Sequence, residues 1–110
     1  MEQESIEQKR SQMRKGILEF SILLAIAEGR VYSSDILKKL KGANLLVVEG
    51  TLYPLLSRLR TQELLKYEWE ESKSGPPRKY FELTPEGRHT LAQLQKTWKE
   101  LRASINKLES

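Results

Sequence analysis

The chain has 110 residues, 38% of them hydrophobic and 31% charged, which fits one folded domain and argues against a disordered chain. It contains no cysteine and a single histidine, His89, so disulfides, thiol catalysis and the usual transition-metal sites are excluded. We therefore predict neither enzymatic activity nor a cofactor. The net charge of +4 favours a polyanionic partner only weakly.

The first residues, Met1-Glu2-Gln3-Glu4-Ser5, lack the cationic start and the apolar run of a signal peptide. The longest apolar stretch runs from Ile17 to Ala27 and is interrupted by Glu19 and Ser21. It is shorter than the ~20 residues that a membrane span requires. These features predict a cytoplasmic protein without membrane contact.

The first two helices are predicted from apolar spacing and from helix stop signals. A strongly apolar first helix should end near Gly29, lie centrally in the core and bury one stripe of side chains. That stripe comprises Met13, Ile17, Phe20, Leu24 and Ala27, widened by Leu23 and Ile26. Ser33 or Ser34 can cap a short second helix, which ends at Gly42. Its apolar residues are Ile36, Leu37 and Leu40.

The segment EGTLYPLLSRL predicts a third helix with one buried face and one open face. Pro54 cannot donate to the carbonyl four residues back, so the helix should begin no earlier than about Gly50. The buried face carries Leu52, Leu55, Leu56 and Leu59. The open face carries Gly50, Pro54, Ser57 and Thr61, with Tyr53 and Arg58 at its margins. These small and polar side chains leave room for a ligand to approach closely.

Alternation between apolar and polar residues predicts a β-hairpin after the third helix. Leu65, Tyr67 and Trp69 share one face, and Lys66, Glu68 and Glu70 share the other; Phe81 and Leu83 then alternate with Tyr80 and Glu82. KSGPPRKY is predicted to form the tip, which carries the cations Lys73, Arg78 and Lys79. This tip is either a solvated loop or a stiff wing that brings cations to a phosphate backbone. Its place after a two-helix unit with a polar second helix favours the wing.

LTPEG predicts the start of the last helix, with Thr84 as the cap, Pro85 at the first position and Glu86 at the positive helix end. The helix should run to about Leu108. Its apolar residues are spaced 3, 4, 3, 4, 3, which is the a/d seam of a coiled coil. The seam comprises Leu91, Leu94, Trp98, Leu101, Ile105 and Leu108. It can pack on its own domain or on a second subunit, and because the preceding elements already supply a domain, we favour the second subunit.

Two blocks, EGTLYPLLSRL and YEWEESKSGPPRKYFELTPEGR, resemble the PadR family of winged helix-turn-helix transcriptional regulators, in its short form with one C-terminal helix. The resemblance implies an α+β, mostly helical fold. Residues 1–84 would form the winged helix-turn-helix domain and residues 85–110 the dimerisation helix. It also implies a homodimer whose third helices bind a roughly palindromic DNA operator, and we expect such a regulator to be a repressor.

One position departs from the family pattern. PadR proteins usually carry glycine just after the third helix, whereas this chain has Glu63. A left-handed conformation at Glu63 would cost roughly 1 kcal/mol. The alternative is an irregular end to the helix.

The resemblance also implies roles for individual residues. DNA contacts are expected from Ser33, Thr51, Tyr53, Ser57, Arg58, Lys73, Arg78 and Lys79. Tyr53 would contact phosphate, and Arg58 is either a base or phosphate contact or a solvated charge. In multidrug-sensing relatives an aromatic residue at the matching place binds planar ligands, so Trp98 with Met13 and Ile17 would bind a small aromatic effector. Trp98 can equally be a packed seam residue.

A second function remains open at this point. A winged-helix protein-interaction module could use the same apolar seam without binding DNA. A mobility-shift assay separates the two functions.

Overall fold

The computed structural model describes residues 2–45, 47–72 and 74–110. The described residues form four helices and one antiparallel sheet. In chain order they are α1 (Glu2–Ile26), β1 (Val31–Tyr32), α2 (Ser33–Gly42), α3 (Glu49–Thr61), β2 (Leu65–Ser72), β3 (Gly75–Leu83) and α4 (Pro85–Glu109). The sheet has the strand order β1-β3-β2. No helix in the described part of the chain is long and apolar enough to cross a membrane.

The core receives buried side chains from every helix and strand. Leucines and isoleucines fill most of it, because burying each one removes a large apolar area from water. Its members include Ile22, Leu23, Ile26, Val31, Ile36, Leu40, Leu52, Leu56, Leu59, Leu65, Phe81, Leu83 and Leu91. Three of the four predicted leucines of α3 are fully buried, and Leu55 packs at the edge.

The α1 helix is central to the core as predicted, and the predicted buried stripe is confirmed only in part. The side that packs inward carries Ile22, Leu23, Ala25 and Ile26. Met13, in contrast, is 74% exposed. Residues 17–27 are apolar on nearly all sides, so spacing alone does not select the inward face. Of the predicted stripe, Leu23 and Ile26 are buried and Phe20 and Ala27 pack against the core, whereas Met13 and Leu24 are exposed.

The N-cap of α2 is Tyr32, not Ser33 or Ser34. β1 runs directly into the helix, so the last strand residue occupies the cap position. The Asp35 carboxylate accepts a hydrogen bond of 3.0 Å from the Tyr32 backbone N–H, which satisfies a donor that has no helical partner. At the other end, Gly42 is the last helical residue, as predicted.

The structure shows which backbone conformation Glu63 adopts at the end of α3. Its φ is 62°, so it adopts the left-handed conformation that the family usually gives to glycine. The Glu63 N–H donates to the Arg60 carbonyl at 2.9 Å, and the Leu64 N–H donates to the Leu59 carbonyl at 3.0 Å. These bonds satisfy carbonyls at the helix end and hold Glu63 in its strained conformation.

The β-hairpin is confirmed, but its tip is shorter than predicted. β2 ends at Ser72 and β3 already begins at Gly75, so Pro76 and Pro77 belong to a strand and not to a loop. The ladder is irregular between Glu70 and Ser72, opposite these prolines. Proline is tolerated there because a bulged ladder does not require its missing N–H. β1 was not predicted, because two residues are too few to show strand alternation.

The start of α4 is fixed by contacts with the end of α3. Thr84 caps the helix as predicted: its Oγ1 accepts from the Gly87 N–H at 2.9 Å and donates to the Glu63 carbonyl at 2.6 Å. A Cβ added at Gly87 would lie 1.8 Å from the Leu64 carbonyl oxygen. Glycine therefore allows the two backbones to touch.

The predicted seam of α4 divides into two parts. Leu91 is only 6% exposed and belongs to the core of its own chain, and Leu94 packs against that core. We therefore remove Leu91 from the predicted dimer interface. Beyond these two residues the seam lies on the surface at Trp98, Leu101, Ile105 and Leu108.

Candidate nucleic-acid interface

A groove of about 410 Å³ separates the hairpin from the first turns of α2 and α3; we call it the wing groove. Its lining comprises Tyr32, Ser33, Ser34, Tyr53, Trp69, Pro77, Arg78, Lys79 and Phe81. The described lining residues include two cations and four hydroxyl groups near the helix starts, and none is acidic. Such a surface attracts anions and can donate several hydrogen bonds to them.

Four of the predicted DNA-contacting residues meet in the wing groove: Ser33, Tyr53, Arg78 and Lys79. The Ser33 Oγ and the Tyr53 hydroxyl lie 3.0 Å apart and form a hydrogen bond. This bond joins the start of α2 to the exposed side of α3. Both hydroxyls remain open to the groove, so each retains capacity for a further hydrogen bond.

The two cations of β3 are held by aromatic rings on opposite faces of the strand. The Lys79 ammonium lies 4.0 Å from the centroid of the Tyr67 ring and 5.0 Å from that of Trp69. The Arg78 guanidinium lies 5.0 Å from the centroid of the Tyr32 ring. These distances are typical of cation–π contacts. Both charges are therefore positioned before any ligand binds.

The other predicted contacts lie outside the wing groove. Thr51 lines a separate groove between α1 and the connection before α3, and Ser57 is exposed on the outer face of α3. Arg58 is also exposed, with its Nε 3.6 Å from a carboxylate oxygen of Glu19. An exposed ion pair of this kind holds its members only weakly. Lys73, the remaining predicted contact, lies outside the described residues.

A pair of stacked tyrosines attaches β3 to the start of α2. Tyr32 and Tyr80 are opposite each other in the β1–β3 ladder, with ring centroids 4.1 Å apart and a hydrogen bond between their hydroxyls. That hydrogen bond, with smaller effects of desolvation and the Glu70 carboxylate, raises the pKa of Tyr80 to about 12. The Arg30 guanidinium covers the Tyr80 ring at 4.4 Å. The stacked and hydrogen-bonded pair therefore fixes the hairpin relative to α2.

Sequence reasoning missed Tyr32, Tyr80 and Trp69 as parts of this region. The tyrosine pair depends on β1, and Val31-Tyr32 alone is too short to predict a strand. Trp69 was expected to face the core with Leu65 and Tyr67, but it is 63% exposed. The cross-strand partner of Trp69 is Lys79, a cation. Had the register been known, this pairing would have indicated that the sheet extends beyond the core there.

The residues predicted to bind an effector do not meet within one protomer. Trp98 lies beside Phe20, with ring centroids 6.4 Å apart, in a groove of about 480 Å³ that Leu24 also lines. Ile17 lines a different groove between α1 and the segment before α3. Met13 is exposed on the N-terminal half of α1. Within the described chain these three side chains therefore share no common groove.

Comparison with known proteins shows similarity to PadR-like transcriptional regulators. The model of the Transcriptional regulator PadR-like family matches residues 22–93. A PadR-like transcription factor from Bacteroides fragilis is 53% identical, with a TM-score of 0.78, over 92% of this chain and 98% of that one. A PadR family regulator from Eggerthella lenta is 31% identical, with a TM-score of 0.84, over 96% and 93%. A PadR-like regulator from Bacillus cereus is 35% identical, with a TM-score of 0.79, over 89% and 96%.

Proposed function

The chain belongs to the PadR-like family of transcriptional regulators, and from this premise we propose that it is a DNA-binding repressor that acts as a homodimer. Membership confirms the resemblance stated from the sequence, the winged-helix fold and the prediction that the chain is a regulator and not an enzyme. Repression, the operator, the dimer and the effector belong to the proposal. So does a cytoplasmic location, where a bacterial regulator would meet its DNA.

The observation that carries the proposal is the wing groove beside the exposed face of α3. The groove has cations and hydroxyls but no acidic side chain among its described lining residues. The adjoining face of α3 carries Gly50, Pro54 and Ser57, which are small and exposed. An exposed, polar helix of this kind fits the major groove of DNA, while the flanking cations contact phosphates.

The proposed division of the chain assigns DNA binding to residues 1–84 and dimerisation to residues 85–110. The dimer is supported by apolar side chains that remain exposed on both long helices. On α4 these are Trp98, Leu101, Ile105 and Leu108, and on α1 they include Ile6, Met13 and Leu24. Burying them against a second copy would remove a large apolar area from water. Two copies related by a twofold axis would place their α3 helices on half-sites ~34 Å apart.

A mobility-shift assay with the DNA immediately upstream of the chain's own coding sequence tests the proposal. We expect a shift that weakens steeply between two salt concentrations, because each neutralised phosphate adds about 0.9 to the salt slope of binding. Sedimentation of the same sample should show a dimer. A dimer that shifts neither this fragment nor a random duplex at low salt would contradict DNA binding and support the protein-interaction module.

Substitutions of the hairpin cations test the site itself. Arg78→Ala and Lys79→Ala should each weaken binding to all sequences and lower the salt slope by about 0.9. Lys66→Ala is the matched control: it removes the same charge from the same hairpin, but Lys66 pairs with Glu82 at 3.2 Å, away from the wing groove. If Lys66→Ala weakened DNA binding as much as the other two substitutions, affinity would depend on the net charge of the protein and not on the wing groove.

The last part of the proposal concerns a small-molecule effector. A planar aromatic compound would stack on Trp98 between the two protomers and change the separation of the α3 helices. Titration with such compounds should quench tryptophan fluorescence, and the quench should be absent in Trp98→Ala. A quench that survives this substitution would come from Trp69, since the chain has two tryptophans.

A further inference from the structure

Trp69 is a large aromatic side chain that lies exposed on the DNA-facing side of the hairpin. It shares a strand face with Leu65 and Tyr67, whose cross-strand partners Leu83 and Phe81 are buried. Trp69 lies one position further out, is 63% exposed and lines the wing groove opposite Tyr53. The core therefore does not account for its indole ring.

The indole is positioned by its neighbours before any ligand binds. Its ring meets the Tyr67 ring edge-on, with centroids 6.5 Å apart and an angle of 88° between the planes. The Lys79 ammonium lies 5.0 Å from its centroid. These contacts already restrict the rotamers of the indole, so that binding a ligand removes less side-chain entropy. The exposed part of the ring can thus contact a ligand at small entropic cost.

The side chains that line the wing groove indicate which kind of ligand fits it. Its described lining residues combine two cations and several hydroxyls with an exposed aromatic ring, and none is acidic. The other face of the hairpin differs, because Glu68 and Glu82 balance Arg30 and Lys66 there. A nucleic-acid strand matches both the positive charge and the exposed aromatic ring of the wing groove. Its phosphates are anionic, and its deoxyriboses present apolar carbon surfaces.

We propose that Trp69 is a direct DNA contact whose indole packs against the deoxyribose of a backbone strand lying in the wing groove. The adjacent phosphate would then face Lys79 and the hydroxyls of Ser33 and Tyr53. This inference rests on the proposed DNA-binding function and adds a contact that carries no charge. The contribution of Trp69 to affinity is therefore independent of salt, unlike that of Lys79.

Affinity measured at several salt concentrations separates these two kinds of contact. The probe is the fluorescently labelled duplex that the wild-type chain binds in the mobility-shift assay. We expect Trp69→Ala to weaken binding roughly tenfold at every salt concentration, as for other aromatic contacts to nucleic acid. Trp69→Phe should lose less, because it keeps a ring beside Tyr67 and Lys79. Lys79→Ala should instead lower the salt slope by about 0.9.

Two outcomes of this measurement would overturn the inference. One is an affinity of Trp69→Ala within about twofold of wild type, which is too small for a lost aromatic contact. The other is a loss of affinity accompanied by the same fall in salt slope as in Lys79→Ala. The indole would then act only by positioning the ammonium. Thermal unfolding of each variant shows whether the fold is intact.

A spectroscopic measurement on the unmutated sequence provides the second test. Labelling with 5-fluorotryptophan gives two ¹⁹F signals, one for each tryptophan, and Trp69→Phe assigns them. Saturating duplex should shift the Trp69 signal by more than the Trp98 signal. An unmoved Trp69 signal in a complex that demonstrably forms would overturn this inference and leave the proposed function intact. Failure of the wild-type chain to bind any duplex would overturn both.

Discussion

The two halves of α4 have the same apolar spacing but opposite surroundings. In the first half, Leu91 is 6% exposed and Leu94 packs against the core of its own chain. In the second half, Leu101 is 55% exposed and Leu108 is 82% exposed. The helix itself runs without a break from Pro85 to Glu109. The same apolar spacing is therefore buried in the first half of α4 and exposed in the second half.

The difference shows that a heptad seam specifies an apolar face but not the partner that covers it. The partner depends on how far the rest of the domain reaches along the helix, which the spacing does not encode. The first half is covered by the chain itself. The second half is covered in our proposal by a second copy. The following predictions test this division, from the largest expected effect to the smallest.

The largest effect is expected in the buried half. Leu91→Ala should lower the free energy of unfolding by about 3 kcal/mol, because it leaves a cavity in the core. Urea unfolding at two protein concentrations measures the change, which should be the same at both. Leu91→Met nearly conserves the side-chain volume and should lower the free energy by less than about 1.5 kcal/mol.

The exposed half should show its effect in association. Leu101→Ala should weaken dimerisation by about 2 kcal/mol, roughly thirtyfold in the dissociation constant, because each interface contains the residue twice. Analytical ultracentrifugation measures this change. Lys107→Ala is the control, since it alters an exposed polar residue of the same helix.

One outcome would contradict this division of α4. It is that Leu101→Ala lowers the free energy of unfolding of the protomer as much as Leu91→Ala does and leaves association unchanged. In that case the second half of α4 would pack within its own chain. The proposed homodimer would then need a different interface.

A smaller effect is expected where α3 ends and α4 is anchored. Glu63→Gly should raise the free energy of unfolding by about 1 kcal/mol, because glycine adopts the left-handed conformation without strain. The Glu63 carbonyl still accepts from Thr84 in this variant, so association should not change. Glu63→Asn should give a smaller gain, and a loss of stability in both variants would contradict the strain at this position.

The smallest effect is a dependence on alkaline pH at the hairpin, far from α4. The Tyr32 hydroxyl raises the pKa of Tyr80 to about 12, so the folded chain favours the protonated form. This contribution to stability is complete below the ordinary value of about 10. It is lost as the pH rises towards about 12. Tyr32→Phe removes the largest cause of the raised pKa and should therefore weaken this dependence. The measurement is the unfolding free energy of the variant and of the wild type at pH 9 and at pH 12.

The sequence predicts those elements whose local signals agree with one another. For α3, the leucine spacing and the position of Pro54 indicate both the boundaries and the buried face. For α4, Thr84 and Pro85 mark the start. The inward face of α1 could not be predicted, because apolar residues surround the helix and only tertiary packing selects among its faces. Pro76 and Pro77 indicated a loop because the bulge that accommodates them depends on a pairing register that the sequence does not reveal.

The candidate site was predictable in part. The cations of the hairpin indicated Arg78 and Lys79, the family resemblance added Ser33 and Tyr53, and the structure brings these four together. The rings that position the cations were not predictable, because they meet through strand pairing. Arg58 was expected to be either a DNA contact or a solvated charge, and the structure places Glu19 close to it from a helix distant in sequence.

The bare backbone contact at Gly87 has a mechanical consequence for the whole protein. There the first turn of α4 rests on the Leu64 carbonyl, with no side chain between them that could absorb a change of angle. α4 has 25 residues. At 1.5 Å per residue it is about 37 Å long, so a tilt of about 5° at this fulcrum would displace its far end by about 3 Å. In the proposed dimer, a small tilt of α4 at Gly87 would therefore change the distance between the two DNA-binding domains.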